Sequence, residues 1–319
     1  FGTINAGENY ATSMAEAEYV EITIAKRKLA LSVAQSYYRL YETRAKQKIL
    51  DENIQLLKTY EQLALTSVEV SKASAVDVLR LQIRQNELQQ QKEVLKEEFN
   101  SEQTTFNNLL NRNENMSVDI VAAMAIPDKD PIYGTEALSL NPELIKYEKL
   151  YESISQSELL NQRESLPMVG FGVDYLPVTA RDDAMFTDNG KDILMPMVSV
   201  SIPIFRSKYK AAVKEAQLMQ ESYSLQKKDF ANTLTSNYEM AWFEIQQQQE
   251  LIELYDQQIQ ESNQALNLLF TAYSNSGNEF EEVLRMQQQL LKYEKMKATA
   301  ATQYQIALAK LNYLTAKTY

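Results

Sequence analysis

Displaced by 205 positions, the chain aligns with itself without a gap. Asp51, Ile54, Gln55, Leu63 and Thr66 fall on Asp256, Ile259, Gln260, Leu268 and Thr271; Ser71, Val78, Leu79, Arg80 and Gln82 fall on Ser276, Val283, Leu284, Arg285 and Gln287; Asn107 and Leu109 fall on Asn312 and Leu314. Two copies that keep length and register over roughly 80 residues are built alike, so the object to be explained is a pair. The distribution of breakers says what kind of pair. All seven prolines lie between Pro127 and Pro203, and residues 3–126 and 204–319 contain no glycine except Gly7 and Gly277. Proline costs a helix interior about 3 kcal/mol, so two long helical blocks flank one irregular block.

Within the first block, Leu50, Ile54, Leu57, Ala64 and Val68 step by fours and threes, interrupted at Glu61. This is a heptad seam, and its copy runs through Tyr255, Ile259, Leu266, Leu269 and Tyr273 with Ser262 at one seam position. A helix from about Ala6 to Val70 would be close to 100 Å long at about 1.5 Å per residue. Small and polar residues then interrupt both copies, as Ser71 to Asp77 and as Ser276 to Glu282. These read as turns in which Ser74 or Ser276 can cap the next helix. A second helix returns through Leu81, Leu88 and Leu95 to about Asn111, and in the copy through Leu284 and Leu291 to about Thr315. Each repeat is therefore an antiparallel helical hairpin. Glutamine runs at 89–91, 246–249 and 287–289 indicate wet faces, and helices apolar only along narrow seams pack edge to edge, as in the wall of a tube.

The central block begins with a loop-rich connector, and Asn141-Pro142-Glu143 opens a helix that reaches about Arg163. Period two then takes over. Val169, Phe171, Val173 and Tyr175 alternate with Gly170, Gly172 and Asp174, and Val198, Val200, Ile202 and Ile204 alternate with Met197, Ser199 and Ser201. Two strands of about 12 residues are expected, long enough for the ~9–11 residues of a tilted transmembrane β-strand. The polar stretch Thr179 to Asp192 suits an aqueous loop between them. A lone amphipathic hairpin leaves open edges in lipid, so other strands must complete it; the competing reading is a soluble hairpin packed on the helices. If the duplication is complete, a segment equivalent to Val198–Phe205 is expected upstream of Phe1.

The chemistry available is narrow. The chain has no histidine and no cysteine, which removes imidazole bases, thiolate nucleophiles and the usual zinc ligand sets. Ser224 and Lys227 have a spacing known from acyl enzymes but sit inside a heptad helix without a supporting motif. The pairs Asp182-Asp183 and Glu281-Glu282 read as solvated acids. No phosphate-cradling glycine loop occurs, and no cofactor or metal is implied. A net charge of -11 without a clustered basic surface speaks against nucleic acid as a partner. An enzyme is the weakest reading.

The turns are the better target. Asp77-Val78-Leu79-Arg80 and Glu282-Val283-Leu284-Arg285 place an acid before the same tripeptide just beyond each tip. The acids suit a helix N-terminus. The arginines, repeated in a symmetric oligomer, would form a positive ring that either biases ion passage or binds carboxylates within the wall.

Taken together, these features resemble the outer membrane efflux proteins, the TolC-like channel-tunnels of Gram-negative bacteria. The likeness covers nearly the whole chain. It rests on the doubled hairpins, the small-residue turn before acid-Val-Leu, the opening Asn141-Pro142-Glu143-Leu144, and the strand Val198 to Phe205 running into Lys208-Tyr209-Lys210-Ala211-Ala212. It implies a mostly α fold: duplicated long antiparallel hairpins for a periplasmic α-barrel, and one amphipathic β-hairpin contributing to a trimeric outer membrane β-barrel of 12 strands, with the first strand pair lying upstream of Phe1. The segments are then 1–112, the first helical hairpin; 113–165, connector and equatorial helix; 166–205, the transmembrane β-hairpin; and 206–319, the second helical hairpin. The resemblance further implies a homotrimer in outer membrane lipid, a periplasmic adaptor (membrane fusion protein) and an inner membrane transporter as partners, and a passive export duct. Carried over by position, the gate and adaptor-contact residues are Ser71, Lys72, Asp77, Arg80, Ser276, Gly277, Glu282 and Arg285. Serines 71 and 276 stand where many members have glycine, and the two arginines stand near acidic constriction residues of some members, so an acidic cation-binding ring is not expected. A non-channel coiled-coil scaffold or periplasmic adaptor is the rival, although an adaptor would normally carry one hairpin flanked by small β-domains.

Overall fold

The computed structural model describes residues 2–70, 74–126, 134–180, 187, 190–276 and 280–316. Five α-helices and two strands account for most of them: α1 (Thr3–Glu69), α2 (Ala75–Leu109), α3 (Pro142–Glu164), β1 (Met168–Leu176), β2 (Ile193–Ser201), α4 (Ser207–Ser276) and α5 (Phe280–Leu314). A 3₁₀ turn, Thr135–Leu140, precedes α3. The chain forms two compact units, one from Phe1–Ile24 with Pro142–Asn232 and one from Ala25–Asn141 with Thr233–Tyr319.

In the second of these units the seams close as their spacing requires. Leu50, Leu57 and Ala64 of α1 and Leu81 and Leu88 of α2 are fully buried, and they share one cluster with Leu266, Tyr273, Phe280, Leu284 and Leu291 of α4 and α5. The two hairpins thus have a common core. Tyr60 of α1 stacks on Phe270 of α4 with ring centroids 4.6 Å apart. The repeat also survives in detail. Lys92 meets Asp51 at 2.5 Å across the first hairpin, and Lys297 meets Asp256 at the same repeat positions of the second. Both returning helices are followed by a residue of left-handed backbone at one repeat position, Asn111 with φ 51° and Ala316 with φ 55°. Asn107, wholly buried, donates to the carbonyls of Glu114 and Met116 and accepts from Arg112 Nε, fastening the connector to the end of α2.

The other unit gathers the start of α1, α3, the strands and the start of α4. Ion pairs Lys146–Glu21 (2.5 Å) and Lys149–Glu16 (2.8 Å) join α3 to α1, while Glu158 of α3 accepts from Gln217 and Gln220 of α4. β1 and β2 pair antiparallel with Val169 opposite Val200, Phe171 opposite Val198, Val173 opposite Pro196 and Tyr175 opposite Leu194. Cross-strand partners share a face, so one side of the hairpin is apolar apart from the Tyr175 hydroxyl, and the other mixes Gly170, Gly172, Asp174, Ser199 and Ser201 with methionines, Leu176 and Ile193. Every residue of both strands is exposed.

The strands are nine residues each rather than the expected 12 or so. Pro167 and Pro177 bracket β1, and Pro203 lies just past β2; proline gives the ladder no N–H, so Ile202 and Ile204 fall outside the strand although the alternation runs on through them. The residues expected to form the aqueous loop lie partly outside the described residues. No helix among the described residues is long and apolar enough to cross a membrane.

Candidate functional site

At the tips of the hairpins, Ser74 is the cap of α2, its hydroxyl accepting from the Val76 N–H at 3.2 Å. Asp77 stands in the first turn of α2, and Glu281 and Glu282 stand in the first turn of α5, where carboxylates complement the exposed N–H groups. The two arginines are each matched to one of these acids. Arg80 Nη1 lies 3.3 Å from Glu281 Oε2, linking α2 of the first hairpin to α5 of the second, and Arg285 donates to Glu282 within its own helix. Together with Ile83, Arg84, Glu87 and Leu284, the residues Arg80, Glu281 and Arg285 line a cavity of about 430 Å³. Asp77 takes no part in it and lies near Tyr273, whose hydroxyl is pushed up chiefly by burial and further by that carboxylate. Ser71, Lys72 and Gly277 lie outside the described residues, as does the side chain of Ser276, which ends α4.

This arrangement is that of solvated ion pairs. Arg80 is about half exposed and Glu281 more so, and exposed pairs of this kind are worth about 0–1 kcal/mol. They can break and re-form at little cost.

In fold, the chain is similar to outer membrane channels of known structure. The outer-membrane channel OprN matches with a TM-score of 0.84 over 100% of this chain and 72% of its own, at 16% identity. The outer membrane protein VceC of Vibrio cholerae matches at 0.81 over 98% and 76%, with 14% identity. The MtrE outer membrane channel of Neisseria gonorrhoeae, in its open state, matches at 0.83 over 99% and 72%, again with 14% identity. The chain has the TolC-like channel fold. The sequence itself matches no family model and no curated relative.

Within this TolC-like fold a second cavity adjoins the tip cavity through Arg84 and Gln288, and it is lined by Lys46, Lys292 and Lys295. The repeat reading passed over these cations because it followed positions that match. The signal lies in positions that do not: Lys46, Arg84, Lys292 and Lys295 stand opposite Leu251, Gln289, Glu87 and Gln90 in the other copy.

Proposed function

We propose that the chain forms the wall of an outer membrane efflux channel, a passive duct closed by three copies and fed by an inner membrane transporter through a periplasmic adaptor. The observation that carries this reading is an unequal use of equal helices. In the chain, α1 contacts α5: Asn53 donates to Glu294 at 3.0 Å, Gln287 donates to Asn53 at 2.6 Å, and Thr299 donates to Glu42 at 2.7 Å. Displaced by one repeat, the same contacts join α4 to α2, with Gln258 in the place of Asn53 and Gln89 in the place of Glu294. Such a junction is what a second copy would supply.

The surface of α2 supports this. Val76, Leu79, Ile83 and Val94 are all more than half exposed on α2, whereas Leu284, the counterpart of Leu79 on α5, is 7% exposed. The apolar face of the β-hairpin, with Phe171 75% and Val198 69% exposed, suits lipid in the same reading.

These 319 residues contain no cysteine, and the junction is tested by oxidative cross-linking, with each single cysteine variant as the control. Gln89→Cys with Gln258→Cys in the full-length protein should give covalent dimers and trimers in outer membrane preparations, and the purified trimer should conduct ions in planar bilayers. A soluble monomer without conductance, or cross-links confined to one chain, would overturn the reading.

A further inference from the structure

The cavity where α1, α2 and α5 meet has a volume of about 430 Å³ and is lined by Lys46, Arg84, Lys292 and Lys295 together with Gln91 and Thr299. Two of its four cations are balanced. Lys46 Nζ lies 2.6 Å from Glu42 Oε1, which also accepts from Thr299, and Arg84 Nη1 lies 2.8 Å from Glu87 Oε2. The other two are not. Lys295 Nζ donates to the neutral Gln91 at 3.2 Å, and neither it nor Lys292 has a carboxylate within 4 Å among the described residues. Arg84 Nε is buried and makes no hydrogen bond there. The Lys295 ammonium is pulled below its ordinary value, chiefly by burial and further by Lys46 and Arg84.

Lys292 is exposed and Lys295 half-buried, so the cost falls on Lys295, whose ammonium is partly desolvated beside two other cations, and on the buried Arg84 Nε, whose N–H is left unmet. An anion with several acceptor oxygens answers both at once, since a guanidinium and ammonium groups converge on one space large enough to hold it. We propose that this cavity is an oxoanion site that takes a phosphate-class anion between Lys295, Arg84 and Lys46. Its residues come from both hairpins, so an occupant would tie the first hairpin to the second. The site occurs once per chain, because the repeat positions that would make a second one hold Leu251, Gln289, Glu87 and Gln90.

Thermal unfolding of the full-length protein in nonionic detergent tests this, in sodium phosphate, sodium acetate and sodium chloride at equal ionic strength and pH. Phosphate is also excluded from protein surfaces in general, so Lys295→Met and Arg84→Met are the controls. Phosphate should raise the wild-type melting temperature by about 2 °C per tenfold concentration beyond half-saturation, and both variants should lose that part of the response. Lys295→Met in chloride should melt no lower than wild type, which shows that it folds and that the lysine is uncompensated without an anion. Equal responses to phosphate in wild type and variants would overturn the proposal, and an equal response to acetate would overturn the preference for phosphate.

Discussion

Leu57 and Ser262 occupy one repeat position, and exchanging their characters tests how the seams are packed. Leu57 is fully buried in the common core. Truncation to alanine leaves a cavity that rigid neighbouring helices can fill only in part, which costs about 3 kcal/mol within the usual range of roughly 2–5. Ser262 is 7% exposed and borders a solvent-open gap of about 220 Å³ lined by Gln258, Glu261, Ala265, Met286, Gln289 and Tyr293. A leucine there adds carbon to an existing space: at ~0.8 kcal/mol per buried methylene the upper bound is roughly 2 kcal/mol, and partial solvent access reduces the gain to about 1. With an unfolding entropy of about 2.1 cal/mol/K per residue, the expected shifts are about 4 °C downward for Leu57→Ala and about 1–2 °C upward for Ser262→Leu. Far-UV circular dichroism melts in detergent read both, with Leu65→Ala as the control because Leu65 is 43% exposed on the same helix. A loss at Leu57 no larger than at Leu65 would refute the common core, and a clear loss with Ser262→Leu would show that the gap is needed.

Glu294 accepts from Asn53 inside this core, and its carboxyl is raised above 4.5, chiefly by burial, with the Asn53 hydrogen bond opposing and Glu52 adding to the rise. The native state therefore holds a proton that the unfolded chain has released, so this contribution is complete below pH 4.5 and is lost as pH rises through the folded value. Glu294→Gln should flatten that part of the stability profile and stabilise at neutral pH, measured by denaturant midpoints from pH 4 to 8. Ala316 holds a left-handed backbone at φ 55°, which costs a residue with a Cβ about 1 kcal/mol, so Ala316→Gly should raise stability by several tenths to 1 kcal/mol, while the same change at an exposed helical alanine should lower it. Val198→Arg, on the apolar face near the middle of β2, should cost about 2–4 kcal/mol of folding into lipid vesicles, whereas Ser199→Arg on the opposite face should cost much less; equal losses would show that the apolar face does not meet lipid.

The helices were legible because their burial is periodic: Leu50, Leu57, Leu81 and Leu88 are buried for the same reason that they recur every seventh residue. Strand ends were not, since Ile202 and Ile204 extend the alternation while Pro203 stops the pairing that would use it. At the tips Ser74 caps α2 as its position suggests, whereas Ser276 ends α4 instead of capping α5, and Ala75–Asp77 and Phe280–Glu282, expected within the turns, already belong to α2 and α5; the residues between lie outside the described residues. The partner of Arg80 was not, because Glu281 is 201 residues away and only the packing of α2 beside α5 brings them together.

Gln82 and Gln287 show why a repeat does not settle a site. They are the same residue at the same repeat position, yet Gln82 reaches out to Glu61 on an exposed surface, while Gln287 is wholly buried and donates to Asn53. The difference lies in neighbours: α5 has α1 of the same chain against it, and α2 has no equivalent contact with α4 among the described residues. A ring of three copies would make the six hairpin junctions alternate between the kind seen here, with Asn53 against Gln287 and Glu294, and a kind with Gln258 against Gln82 and Gln89. The cations Lys46, Arg84 and Lys295 belong to the first kind, and the second kind offers leucine and glutamine in their place. An oxoanion would therefore stiffen every other junction. The remaining three, with glutamine and leucine at the corresponding positions, would lack that tie.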